Sequence, residues 1–241
     1  PMIVLASADP AWAAQVALRA SIVNTGQACQ SIERVYVARQ IAEPFLSALV
    51  AGAQAVRLNA ENIGSGEIGP FIFAKQAEIV QAQIADAVTK GATVLAGGRV
   101  ETIGGGHYLR PTVLADVTPD MAIMAEETFG PVIPVTVFDT IDQAVGQANG
   151  GVFGLSAAVL AGSPEEAEAV AVELNAGAIS INDGSLTAMV WDAEKSSFGA
   201  SGLGPSRMGD SGLLRFFRKQ ALLRQTGTAL PIQAYAEDAR Q

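Results

Sequence analysis

Few residues in this chain have types that could do chemistry. Among 241 residues there is one cysteine, Cys29, and one histidine, His107. Cys29 sits in Asn24-Thr25-Gly26-Gln27-Ala28-Cys29-Gln30-Ser31-Ile32-Glu33-Arg34, between an apolar, helix-like run (11–23) and a strand-like run, Val35-Tyr36-Val37. A lone thiol at a junction between elements, amid Gly, Asn and Gln, is a candidate nucleophile. The plainer alternative stands beside it: free cysteine is among the most buried residue types, and a buried thiol is inert. A second cluster is Glu126-Glu127-Thr128-Phe129-Gly130-Pro131-Val132. Taken locally, its paired carboxylates before an aromatic, Gly and Pro read as a solvated turn. His107 follows Gly104-Gly105-Gly106, a setting that reads as an exposed loop tip rather than the seat of a general base.

Composition narrows the classes. The chain is 49% hydrophobic and 16% charged, enough to bury one large core or two modest ones. No apolar run reaches the length of a membrane span, and no basic segment leads into an apolar one as in a signal peptide. One cysteine makes no internal disulfide, which agrees with a reducing, cytoplasmic setting. One His and one Cys supply no zinc-type ligand set, and no metal site is expected. A net charge of −9 without a Lys/Arg cluster argues against nucleic-acid binding.

Two motif matches lack the context they need. Gly64-Ser65-Gly66-Glu67-Ile68-Gly69 has the spacing of a dinucleotide fingerprint. That fingerprint requires a buried strand before it and a helix opening from it, whereas Asn59-Ala60-Glu61-Asn62 precedes it here. Gly209-Asp210-Ser211-Gly212 resembles a serine-protease phrase, but no disulfide framework surrounds it, and Leu213, Leu214, Phe216 and Phe217 after it read as an amphipathic helix.

The elements that must position these residues alternate strand and helix. Met2–Ala6 reads as a buried strand, and Asp9-Pro10 as N-cap and first position of a helix that fails near Asn24–Gly26. Cys29 is then close to a helix end, which together with converging backbone N–H groups could help the thiolate. Strands are expected at 35–39, 93–96, 111–114, 132–138, 154–160 and 178–182, and helices at 41–56, 71–90 and from Ser163-Pro164 to about Asn175. Pro134 suggests an edge strand or a bulge. Asp139 is expected to cap a helix with Asp142 in its first turn. The run 154–182 forms a βαβ unit, so part of the sheet is parallel. Residues 221–226 read as a final exposed strand, with a polar, frayed tail to Gln241.

Asn24-x-Gly26-Gln27-x-Cys29 with Arg34, and Glu127-x-Phe129-Gly130-Pro131, together resemble the two signatures of the aldehyde dehydrogenase superfamily. Tyr108-x-x-Pro111-Thr112-Val113-Leu114 and a shortened Phe198-Gly199-Ala200 to Gly204 stretch are similar to further family phrases. The resemblance covers essentially the whole chain, as the C-terminal half of a family member. Pro1 stands where relatives have the Pro that ends a Glu-Leu-Gly-Gly-Lys-x-Pro loop.

What the resemblance implies is an α/β, three-layer α/β/α domain with a twisted, largely parallel sheet. Residues 1–213 would be the catalytic domain and 214–241 an oligomerisation segment and tail. Cys29 would attack an aldehyde to give a thiohemiacetal, then a thioester that water hydrolyses, with its own backbone N–H as an oxyanion donor. Glu127 and Phe129 would bind the nicotinamide ribose and ring of NAD or NADP. Phe198 would line the substrate mouth, Asn24, Gly26 and Gln27 would shape the thiol loop, and Arg34 would hold structure. The expected partner is a small aldehyde, and the expected assembly a homo-oligomer paired through the terminal strand. The family's general base and most of its cofactor site lie upstream, so the chain alone is expected to be inactive in the redox reaction. Two other readings remain: a cofactor-independent cysteine esterase or acyl transferase, and a non-catalytic assembly fragment.

Overall fold

Residues 1–206 and 208–235 are described in the computed structural model. The chain runs β1 (Met2–Val4), α1 (Pro10–Ile22), β2 (Val35–Ala38), α2 (Ala42–Ala55), α3 (Ala74–Thr89), β3 (Thr93–Ala96), β4 (Val100–Ile103), β5 (Gly106–Leu109), β6 (Thr112–Ala115), α4 (Ala122–Ala125), β7 (Val132–Phe138), α5 (Ile141–Asn149), β8 (Phe153–Gly154), β9 (Ser156–Leu160), α6 (Pro164–Ala171), β10 (Ala178–Ile181), α7 (Leu186–Met189), β11 (Phe198–Gly199) and α8 (Gly209–Leu214). The main sheet has seven strands in the order β10-β9-β1-β2-β7-β6-β3. Every pairing in it is parallel except β3 against β6.

Alternation along the strands builds the two cores of a three-layer α/β/α domain. Met2 and Val4 of β1, with Val35 and Val37 of β2, point toward α1 and α2. Ile3, Tyr36 and Ala38 point the other way, toward α3, α5 and α6. Phe45 and Leu49 of α2 are fully buried, each worth roughly 1.5–3 kcal/mol of transfer free energy. The β9–α6–β10 unit is parallel as expected. Ser163 caps α6 by accepting the N–H of Glu166 at 3.3 Å. Asp9 caps α1 by accepting that of Trp12 at 2.7 Å.

Four local expectations are corrected. Pro134 lies neither at an edge nor in a bulge: β7 is interior, between β2 and β6. Pro134 pairs with Leu114 at the end of the β6 ladder, and the β2 ladder starts one residue later at Val135. It therefore occupies the hand-over between two ladders. The cap of α5 is Thr140, whose hydroxyl accepts the Gln143 N–H, because the Asp139 carboxylate is taken by Arg39 at 2.5 and 3.0 Å. Residues 221–226 form no strand: they are exposed, and no ladder among the described residues includes them. Apolar side chains there and around it, Phe216, Leu222, Leu223 and Ile232, are exposed as well. The expected helix at 213–217 is shifted, with α8 ending at Leu214. A short 3-10 turn covers Ile232–Tyr235, and the rest of the expected frayed tail, 236–241, lies outside the described residues.

Candidate active site

The thiol loop starts where α1 stops. Asn24, Thr25 and Gly26 all have left-handed backbones, with φ of 56°, 60° and 68°, so the helix cannot continue. Polar side chains then fix the bend. Asn24 Nδ2 donates to Gln27 O at 2.9 Å, and Gln27 Oε1 accepts the Ile72 N–H at 2.9 Å. Thr25 Oγ1 lies 3.2 Å from both Gly69 O and Gly69 N. The loop carrying the rejected glycine motif thus serves as a brace for the cysteine loop, and an Arg57–Glu67 ion pair at 2.6 Å closes it.

Gly26 is where the two motifs meet. A Cβ there would lie 2.3 Å from Gly130 O and 2.8 Å from Ser21 O. Only glycine permits this approach, which seats the loop of Cys29 against that of Glu127. Cys29 itself is exposed, so the inert, buried alternative does not apply.

The two loops open on one cleft of about 280 Å³, lined by Cys29, Ser31, Glu33, Arg34, Glu126, Glu127, Phe153, Leu155 and Ser201 among others. Glu127 is exposed into it, and among the described residues no donor is bonded to its carboxylate. Burial of that carboxyl by its surroundings raises its pKa above the ordinary glutamate value. Phe129 is half-buried behind it, with a left-handed backbone at φ 48°.

The remaining site residues fall as follows. Phe198 is not in the lining. It pairs with Gly154 in the β8–β11 ladder, and the neighbouring Phe153 is the aromatic that faces the cleft. Arg34 donates to Ala148 O at 3.2 Å and Tyr36 Oη at 3.4 Å, bridging β2 to the end of α5. His107 pairs with Thr102 across the β4–β5 hairpin, away from the cleft. The helix end near Cys29 is the carbonyl end of α1, whose partial negative charge is the wrong sign to hold an anion.

Sequence reasoning missed Glu33. Its Oε1 accepts the backbone N–H groups of Thr128 at 3.1 Å and Phe129 at 2.9 Å. The only signal was a carboxylate placed between an apolar residue and a strand, at Ile32-Glu33-Arg34-Val35. No group of His, Cys, Asp and Glu among the described residues has the geometry of a metal site, and no helix among them is long and apolar enough to cross a membrane.

Residues 1–222 match the model of the aldehyde dehydrogenase family. The chain belongs to that family. A solved structure from Anabaena variabilis, provisionally named aldehyde dehydrogenase PutA, is 50% identical with a TM-score of 0.91, covering 96% of this chain and 50% of that one. Lactaldehyde dehydrogenase from Escherichia coli is 35% identical in structure comparison with a TM-score of 0.84, over 91% of this chain and 46% of that one. A Mycolicibacterium smegmatis sequence with a provisional succinate-semialdehyde dehydrogenase [NADP(+)] name is 37% identical over 92% of this chain and 43% of its own length. The chain thus spans less than half the length of this curated relative.

Proposed function

We propose that this chain is the catalytic part of an NAD(P)-dependent aldehyde dehydrogenase that oxidises an aldehyde to a carboxylic acid, with Cys29 as nucleophile. The observation that carries this reading is the meeting of an exposed thiol and an unpaired carboxylate, Cys29 and Glu127, in one cleft. Sγ of Cys29 adds to the carbonyl carbon to give a thiohemiacetal, and loss of hydride leaves a thioester that water cleaves. The Cys29 backbone N–H supplies one oxyanion donor. Glu127 suits a vicinal diol such as a ribose: it is exposed, unpaired and charged. Phe129 would form a wall beside the ring, and Phe153 and Leu155 the substrate side. A bound nicotinamide nucleotide would supply the hydride acceptor. Lactaldehyde dehydrogenase and the sequence with a succinate-semialdehyde dehydrogenase name among the relatives support a small aldehyde as substrate class.

On this reading residues 1–213 are the catalytic domain and 214–241 an arm for homo-oligomer assembly. The exposure of Phe216, Phe217, Leu222 and Leu223 supports the arm, because apolar surface of this extent is normally covered by a partner.

The test has two parts. An activated ester such as p-nitrophenyl acetate should give a stoichiometric burst of nitrophenol with this chain, lost in Cys29→Ser. Aldehyde-dependent reduction of NAD⁺ or NADP⁺ should be absent from this chain alone, whose relatives are more than twice its matched length. A burst that persists in Cys29→Ser removes Cys29 as nucleophile. Cofactor-independent ester turnover without any aldehyde chemistry in a full-length form would favour the acyl-transfer reading instead.

A further inference from the structure

The two motifs are joined by a side chain that lies inside the first, between Cys29 and Arg34, at a position its signature does not specify. Glu33 leaves the chain just before β2, lines the cleft, and reaches across to the Thr128 and Phe129 amides. Phe129 holds a left-handed backbone at φ 48°, a conformation that non-glycine residues keep only where their surroundings enforce it. Gly26 packs on Gly130, Gln76 Nε2 donates to Thr128 O at 2.6 Å and Gln83 Nε2 to Glu127 O at 3.4 Å, and the Glu33 bonds tie this segment to the chain around Cys29.

Resting on the functional reading above, we propose that Glu33 is a positioning residue of this site: one of its carboxylate oxygens clamps the Thr128–Phe129 backbone and thereby sets the Glu127 carboxylate and the Phe129 ring relative to the Cys29 loop. A direct catalytic role is not needed for this. Cys29 and Glu127 come from loops far apart in sequence, and an acceptor on the cysteine segment bonded to two amides of the other loop adds a directional restraint to the packing of Gly26 on Gly130.

Electrostatics give the proposal a sharp consequence. Burial raises the Glu33 carboxyl pKa above the ordinary glutamate value; the Phe129 and Thr128 N–H bonds pull it down without cancelling this. Among the neighbouring charges, Glu127 raises it further. Glu126 and Arg34 also line the cleft, with Arg34 committed to Ala148 and Tyr36. An acid with a folded-state pKa above its unfolded one gives stability that is complete below the unfolded pKa and is lost as pH rises through the folded pKa. At neutral pH the ionised Glu33 is therefore a cost to the fold.

Glu33→Gln and Glu33→Ala test this by amide hydrogen exchange and thermal melting of the chain. In Glu33→Ala the Thr128 and Phe129 amides should exchange about ten- to a hundredfold faster, the loss expected for bonds to a charged acceptor, while those of Val4 and Val159 stay unchanged. Glu33→Gln, which keeps one acceptor oxygen, should restore part of the protection. It should also melt higher than the wild type at neutral pH, with the gain vanishing below about pH 4, where both side chains are neutral. Unchanged exchange at Thr128 and Phe129 overturns the clamp. A Glu33→Gln variant that melts lower at neutral pH makes Glu33 a structural residue and overturns it equally. If Glu33→Ala does not fold, Glu33→Gln decides through both measurements. The ester burst in Cys29→Ser tests the functional reading independently, so failure of one is not mistaken for failure of the other.

Discussion

Replacing Gly26 by Ala should loosen the fold at the point where the two motifs touch. The added Cβ would lie 2.3 Å from Gly130 O, 2.5 Å from Gly130 C and 2.8 Å from Ser21 O. All three are backbone atoms, so no rotamer change relieves the contact. The left-handed φ of 68° costs an L-residue about 1–2 kcal/mol, and forced overpacking typically costs about 1–3 kcal/mol more. The expected loss is thus about 2–5 kcal/mol, a large share of the roughly 5–15 kcal/mol by which a domain is stable. Urea denaturation followed by tryptophan fluorescence reads it, with Trp12 half-buried and Trp191 exposed. Gly104→Ala is the matched control: its φ is 58°, and nothing lies within 4 Å of its added Cβ. That variant should show the strain part alone, so the difference between the two isolates the Gly26–Gly130 contact. A Gly26→Ala variant within about 0.5 kcal/mol of Gly104→Ala, the scatter expected of neutral surface changes, would refute the argument that this contact locks the loops together. The ester burst should also fall in Gly26→Ala, because the cysteine loop has to move away from Gly130.

Gly146→Ala should stabilise the chain by about 0.5–1 kcal/mol in the same assay, since Gly146 lies inside α5 with ordinary φ and open space around its Cβ. The Asp86 carboxylate accepts the Ala122 N–H at 2.8 Å and pairs with Lys90 at 3.0 Å; the backbone bond first and Lys90 second hold its pKa below the ordinary value. A depressed carboxylate gives stability that is present above the unfolded pKa and lost as pH falls through the folded one. Melting temperatures of Asp86→Asn should therefore lie below the wild type at neutral pH and converge with it as pH falls below the ordinary aspartate range. Deleting residues 215–241 should leave the sheet intact by circular dichroism and lower the solution mass to that of a monomer; an unchanged mass would remove the assembly arm.

Local chemistry was the legible part. Asp9-Pro10, Ser163-Pro164 and the left-handed run after Ile22 each act within one turn of the chain, so their outcome follows from the residues themselves. The misreadings share a cause: a distant partner decides. Asp139 has the right type for a cap, but Arg39 takes its carboxylate, leaving the cap to Thr140. Pro134 reads as an edge residue until the two ladders on either side of β7 are known. Residues 221–226 have strand composition and no neighbour to pair with. Glu33 lay within the motif and went unread, because the amides it serves are in the other motif. Motif spacing exposed the groups that could react; it was silent on the group that holds them together.

The cleft also lies at an unusual place for an α/β sheet, and its sign follows from that. Ligands of open parallel sheets ordinarily sit beyond the carboxyl ends of the strands. Here Cys29 precedes β2, Glu127 precedes β7 and Leu155 precedes β9, so the loops converge at the amino ends. The helices that return to this end arrive carbonyl first: α1 stops at Ile22 before the cysteine loop, and α5 stops at Asn149 just before Gly151. Their partial negative charges add to Glu33, Glu126 and Glu127. Arg34 is the one cationic side chain among the described lining residues, and it is bonded to protein acceptors. A cleft of this sign repels phosphates and favours a cationic ring. On the proposed reading the oxidised nicotinamide, which carries a positive charge, suits it better than the neutral reduced form, while the cofactor's phosphates must find their donors outside this cleft.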